Sequence, residues 1–87
     1  MASPTPFQIT RMDPNLKTLQ KRAKREKDAE LVRRLQAIII MLLHNNEDLA
    51  LRILDVSKDT LIRWVHRFNE AGIEGLAKKN DPDALRS

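Results

Sequence analysis

The twelve residues from Leu54 to Val65 constrain the fold more than any other part of this 87-residue chain. An apolar stretch ends at Leu54, and a two-residue connection follows it. Ser57 then supplies a side-chain oxygen of the kind that caps a helix N-terminus. Beyond this serine, apolar residues recur at helical spacing on one face only. We therefore predict a helix-turn-helix whose second helix covers about 57–71 and is ended by Gly72.

The residues before this motif have the periodicity of further helices, so we expect a small all-α bundle with four main helices. Asp13 and Pro14 suit the cap and first position of an opening helix, and Asp28 suits the cap of the next. That second helix is apolar on all sides from Ala37 to Leu43, which indicates a central, buried position. A short third helix is expected over 47–54. Its inward-facing residues are Ala50, Leu51, Ile53 and Leu54.

A chain of this length holds one small domain. We divide it into a flexible arm over 1–12, a helical domain over 13–76 and a polar tail over 77–87. The boundary between the first two helices, near 26–28, stays open, since one long bent helix fits the same pattern.

Several classes of function are disfavoured by what the sequence lacks. It contains no cysteine, and its two histidines, His44 and His66, lie far apart, so we expect no metal site and no cofactor. No triad or metal-ligand spacing is present, so we do not expect an enzyme. The apolar run over 37–43 is too short to cross a bilayer, and no signal peptide is recognisable. We expect a soluble intracellular protein, cytoplasmic and nucleoid-associated if the source is prokaryotic.

Positive charge is concentrated in one region. The chain has a formal net charge of +4, and the segment from Arg11 to Arg34 alone carries nine Lys or Arg against four Asp or Glu. On the first helix the basic face consists of Lys17, Lys21, Lys24 and Arg25. This face fits phosphate contacts by Lys21 and Lys24 beside the helix-turn-helix, and it fits a solvated surface equally well.

The last predicted helix has two faces. Its core face consists of Val56, Leu61, Trp64, Val65 and Phe68, and its outward face of Ser57, Lys58, Asp59, Ile62, Arg63 and Arg67. The second helix of such a motif lies in the major groove of double-stranded DNA, with its first residues nearest the bases. The guanidinium of Arg63 matches the two acceptors of guanine, and Ile62 matches a thymine methyl group. Lys58 and Thr60, with Ser57, are expected at phosphates, and Asp59 either at a cytosine amine or beside a neighbouring cation.

Three segments of the chain resemble a known family. Residues 33–38 read RRLQAI, residues 56–64 read VSKDTLIRW, and residues 67–76 read RFNEAGIEGL. These are similar to the patterns R-R-x-Q-A-I/L, V-S-x-x-T-V-x-R-W and R-F-x-E-x-G-x-x-G-L in the N-terminal DNA-binding domain of mariner-like insertion-sequence transposases. The resemblance implies a homeodomain-like helix-turn-helix that binds the terminal inverted repeats of an element, while a separate acidic domain, absent here, cuts the DNA.

The chain departs from that pattern in three places. Asp55 stands where the family usually has glycine, and Ala50-Leu51 stands where it has Ile or Leu followed by Ala. Of the family's basic, proline-rich segment after the G-L pair, only Lys78-Lys79 is present. The resemblance thus implies a DNA-end-binding module, fragment or stand-alone descendant that binds without cutting and could regulate or compete with a full-length transposase.

Two other functions fit the same sequence. The apolar run over 37–43 and Ile62 could form the interface of a helical protein-interaction or dimerisation module. A small transcription regulator could instead form a homodimer through the central helix and bind a palindromic DNA site.

Overall fold

A computed structural model describes residues 7–77, and these residues form helices and short connections with no strand among them. The helices in chain order are α1 (Leu16–Arg25), α2 (Ala29–His44), α3 (Glu47–Leu54), α4 (Lys58–Ala71) and α5 (Ile73–Ala77). The predicted all-α fold class is confirmed, and α1 and α2 are separate helices. The short helix α5 follows the four that were predicted. The described part does not include residues 78–87, which are most of the predicted tail. It also does not include residues 1–6 of the predicted arm.

Side-chain caps fix where the helices begin. The carboxylate of Asp28 accepts from the backbone N–H of Glu30 at 3.0 Å, so the predicted cap of α2 is correct. The predicted cap of α1 is wrong, because Asn15 and not Asp13 precedes that helix. The Asn15 side chain accepts from the Thr18 N–H at 3.0 Å, whereas the backbone carbonyl of Asp13 accepts from Arg11. Pro14 therefore lies before the helix and not at its first position.

The core draws on all five helices, with α2 at its centre. Fully buried side chains come from α1 (Leu19), α2 (Leu35, Ile38), α3 (Ala50), α4 (Leu61, Val65, Phe68) and α5 (Leu76). Helix α2 contacts each of the other four, so its predicted central place is confirmed. Its C-terminal end is less covered, since Leu42 and Leu43 are 39% and 51% exposed.

The inward face of α3 is narrower than the sequence predicted. Ala50 and Leu54, four residues apart, are buried on one stripe, and Leu51 is half-buried beside them. Ile53 is 60% exposed, so its predicted inward position is wrong. Neighbouring residues in a helix point about 100° apart, so Ile53 does not share the direction of Leu54. Because α3 has only two turns and packs through one i, i+4 stripe, Ile53 is turned away from the core.

Candidate nucleic-acid interface

The turn between α3 and α4 depends on a left-handed residue. Asp55 has φ 55° and ψ 52°, and its N–H donates to the carbonyl of Leu51. The N–H of Val56 donates to the same carbonyl at 3.3 Å. Aspartate is one of the few non-glycine residues that tolerate this conformation, so the turn forms without a glycine. The left-handed residue stops α3 and redirects the chain into α4.

The first turn of α4 is closed by two hydroxyl groups. The Ser57 Oγ accepts from the Thr60 N–H at 3.3 Å, which confirms the predicted cap. The same Oγ lies 3.0 Å from the Thr60 Oγ1. Because the Thr60 N–H is occupied, a phosphate contact from this residue depends on its hydroxyl group. The remaining N–H groups of the first turn give this end of the helix a partial positive charge.

Helix α4 has the two faces that the sequence predicted. Leu61, Trp64, Val65 and Phe68 are buried, and Val56 packs against the core from the turn. On the opposite side Ser57, Lys58, Asp59 and Arg63 are exposed, while Thr60, Ile62 and Arg67 are half-buried. The prediction that Ile62 is exposed is thus only partly right, since it lies one turn before the buried Val65, at the border of the two faces. The structure still brings the predicted residues of α4 together on one surface.

Two consecutive arginines of α2 hold the elements around α4, a role that the sequence analysis missed. Arg33 donates from Nη2 to the carbonyl of Leu54, the last residue of α3. Arg34 donates from Nη1 to the carbonyl of Leu76 in α5 at 2.8 Å, and its guanidinium lies 6.0 Å from the centre of the Trp64 ring. The sequence could have indicated this role, because at least one of two consecutive arginines beside the apolar stripe of a central helix must lie near buried surface.

The end of α4 is shaped by two glycines. Gly72 has φ 66°, and its N–H donates to the Phe68 carbonyl at 2.8 Å, so it ends the helix as predicted. A Cβ atom at Gly75 would overlap the backbone carbonyl of Arg67. Helix α5 therefore packs against the backbone of α4 more closely than a side chain at this position would allow.

The basic face of α1 borders α5. Lys21 and Lys24 are both exposed, and α1 packs chiefly on α2. Lys21, with Thr18, Arg22 and Arg25, lines a surface pocket of about 230 Å³ whose other wall is Ile73. These contacts place the basic face next to α5. Its position beside α4 stays a prediction.

The described residues also bear on metal and membrane binding. Within 7–77, no three His, Asp or Glu residues are grouped so that they could hold a metal ion. None of the helices described is long and apolar enough to span a membrane.

Two helices joined by a short turn, with the second one presenting an exposed surface, form the arrangement of the helix-turn-helix class of DNA-binding domains. A family model described as winged helix-turn-helix matches residues 34–87, which is more than half of the chain. The chain therefore belongs to the winged helix-turn-helix family, and the predicted helix-turn-helix is confirmed. Comparisons with curated proteins and with solved structures find no match.

Proposed function

We propose that this domain binds double-stranded DNA in a sequence-specific manner, with the first half of α4 in the major groove. The observation that carries the proposal is the outward surface of α4, where Lys58, Asp59 and Arg63 are exposed beside the half-buried Ile62. The Asp55 turn and the Ser57 cap place this surface at the N-terminal end of α4. In helix-turn-helix proteins the N-terminal part of the second helix enters the major groove.

The side chains on this surface divide into two groups by chemistry. Arg63 can donate two parallel hydrogen bonds to guanine, and Ile62 can contact a thymine methyl group. Asp59 can accept from a cytosine amine. Lys58, Thr60, Ser57 and Arg67 offer ammonium, hydroxyl and guanidinium groups for phosphate oxygens, which fix register without reading sequence.

The test begins with selection of a preferred duplex from a random pool. The dissociation constants for that duplex and for a random duplex are then measured by fluorescence anisotropy. Arg63→Ala should reduce the ratio of the two affinities roughly 5- to 100-fold, since a bidentate base contact is worth about 1–3 kcal/mol. Arg52→Ala removes an exposed arginine from α3 and serves as the charge-matched control. If Arg63→Ala leaves the ratio unchanged, the assignment of α4 as the reading surface is wrong.

The basic face of α1 is proposed as a second phosphate contact. Its support is the exposure of Lys21 and Lys24 and the clustering of Lys21 with Arg22 and Arg25 around one pocket. Lys21→Ala or Lys24→Ala should weaken binding to all duplexes alike and reduce the slope of log affinity against log salt by about 0.9 for each phosphate that the variant no longer neutralises. Lys27→Ala, in the connection between α1 and α2, is the matched control. An unchanged slope would leave this face as solvated surface.

The natural site that we propose is the terminal repeat of a mobile DNA element, with a binding role and no catalysis by this domain. The support is the resemblance of residues 56–64 and 67–76 to the end-binding domain of mariner-like transposases. Selection from the random pool distinguishes the end of a mobile element from the site of a transcription regulator. A long asymmetric site supports an element end, and a short inverted repeat supports a transcription regulator.

A protein-interaction role is the second candidate, and one observation favours it. Leu42 and Leu43 at the end of α2 and Ile53 on α3 are large apolar side chains that remain exposed. Surfaces of this kind are typical of protein contacts when they are contiguous. Sedimentation at two protein concentrations, with and without duplex, tests for a homodimer. Self-association without any duplex binding at low salt would favour this role over DNA binding.

A further inference from the structure

The side chain of Asn69 on α4 bonds the backbone of the segment before α1. The Asn69 Oδ1 accepts from the backbone N–H of Thr10 at 2.9 Å and from that of Arg11 at 3.4 Å. The Asn69 Nδ2 donates to the backbone carbonyl of Gln8 at 3.0 Å. The oxygen and the nitrogen of the Asn69 amide therefore both bond the backbone of one segment. We call this segment, residues 8–11, the N-terminal strap. The sequence placed this strap inside a flexible arm, yet its backbone is hydrogen-bonded 58 or more residues away.

Arg11 adds a second attachment at the end of α4. Its Nη1 donates to the carbonyl of Glu70 at 3.3 Å and to that of Asn69 at 3.5 Å. The last carbonyls of a helix lack partners within the helix and carry partial negative charge, which a cation stabilises. The last turn of α4 contains no basic residue of its own. Arg11 supplies that cation from outside the helix, and it packs beside Gly72, where a Cβ atom would lie 3.0 Å from its Nε.

The same segment is anchored in the core and carries little charge of its own. Phe7 and Ile9 are half-buried and pack against the core. Within residues 1–10 the sequence contains no lysine or arginine, and Arg11, the basic residue of the strap, donates to the carbonyls at the end of α4. The strap also precedes residue 34, where the match to the winged helix-turn-helix family begins.

We propose that the N-terminal strap positions α4 for base reading, with Arg11 and Asn69 as positioning residues. The inference rests on the proposed function of α4. Arg63 precedes Asn69 by six residues, or about 9 Å along the helix axis, so a tilt of about 10° about the last turn displaces Arg63 by roughly 1.5 Å. A displacement of that size breaks a bidentate hydrogen bond, whose donor and acceptor must lie about 2.7–3.2 Å apart. Anchoring the last turn of α4 therefore fixes the place of Arg63 two turns earlier.

The experiment compares variants of the strap in two measurements on the full chain. Dissociation constants for the selected duplex and for a random duplex of equal length are measured at one salt concentration. Arg11→Ala and Asn69→Ala should weaken binding to the selected duplex about 5- to 10-fold and binding to the random duplex less than 2-fold. Arg11→Lys should recover part of the affinity, because it keeps the cation at the helix end. Gln8→Ala is the matched control, since only the backbone of Gln8 contacts Asn69.

The second measurement is amide hydrogen exchange at Thr10, whose N–H is bonded to Asn69. Coupling between two sites is reciprocal, so the selected duplex should slow this exchange more than the random duplex does. Equal slowing by the two duplexes would overturn the proposal.

The outcomes of the binding measurement separate the two proposals. If the wild-type chain prefers the selected duplex and the variants keep that preference, the strap is not a positioning element, and the proposed function stands. An equal loss of affinity for both duplexes means that the strap serves stability alone, which also overturns the inference. If the wild-type chain shows no preference, the proposed function and the inference both fail. Should Asn69→Ala not fold, Arg11→Ala carries the same test, because it removes the attachment at the end of α4 and leaves Asn69 in place.

Discussion

Arg33 of α2 donates a hydrogen bond from its Nη2 to the backbone carbonyl oxygen of Leu54, the last residue of α3. The two residues are 21 positions apart, and the bond reaches the helix end that directly precedes the Asp55 turn. A carbonyl at a helix C-terminus has no partner within the helix, so this contact satisfies it and ties the turn to the central helix. The geometry of the helix-turn-helix thus depends on a side chain of α2.

Arg33→Ala should lower the free energy of unfolding by about 1 kcal/mol, because it removes a hydrogen bond from a charged donor that is partly open to solvent. Arg33→Lys should retain part of the stability. Urea unfolding followed by circular dichroism measures the change, and Gln36→Ala on the same helix is the control. Equal midpoints for wild type and Arg33→Ala would contradict the prediction.

Asp55→Ala should destabilise the domain by roughly 1–2 kcal/mol, since alanine in the left-handed region has no local hydrogen bond to offset the steric cost. Asp55→Gly should be at least as stable as Asp55→Ala, because glycine has no Cβ atom to clash. Thermal melting of the three proteins tests the order. The physical account of the turn fails if the alanine variant melts at the wild-type temperature.

Gly75→Ala should destabilise the domain by roughly 1–3 kcal/mol, as overpacking in a well-packed region does. The added methyl group overlaps the Arg67 carbonyl, which belongs to helix backbone and cannot rotate away. Glu74→Ala, at the exposed neighbouring position, should have little effect on the unfolding midpoint. A stable Gly75→Ala variant would show that α5 does not need its close approach to α4.

Arg34→Ala should change both stability and fluorescence. It removes the hydrogen bond to Leu76 and the guanidinium beside Trp64, for an expected loss of about 2 kcal/mol in the free energy of unfolding. Trp64 is the single tryptophan of the chain and only 7% exposed, so uncovering it should shift its emission to longer wavelength. Arg33→Ala should leave the emission unchanged in the folded state. An emission maximum unaffected by Arg34→Ala would argue against the contact.

The pH dependence of stability should include a contribution from Glu26. The Asp28 N–H, which donates to its carboxylate at 3.2 Å, and then the Arg22 guanidinium at 3.0 Å lower the pKa of Glu26 from its ordinary value of 4.5. A lowered pKa in the folded state favours the charged form, so its stabilising contribution is present above about pH 4.5. It is lost as the pH falls through the folded-state pKa. Glu26→Gln should therefore be less stable than wild type at pH 7, and the difference should disappear in acid. Urea unfolding at several pH values measures it, and a difference independent of pH would contradict the assignment.

Local patterns in the sequence determined the helices and most of the surface of α4. The caps at Asp28 and Ser57 are side-chain oxygens that bond backbone N–H groups two or three residues away. The helix ends at Asp55 and Gly72 depend on residues that tolerate a positive φ. The separation of buried from exposed residues on α4 follows from helical spacing alone. Such features need no knowledge of distant contacts, which is why a single sequence predicts them.

The tertiary structure alone decided the contacts between segments far apart in the chain. The Arg11 guanidinium reaches the Asn69 carbonyl across 58 residues, and Arg34 reaches the Leu76 carbonyl across 42. Every residue carries a backbone carbonyl, so the sequence does not show which carbonyl accepts a given long-range hydrogen bond. Only the packing of the helices selects the acceptor. The outward position of Ile53 was decided in the same way, because the width of the stripe that α3 buries depends on how the short helix lies against α2.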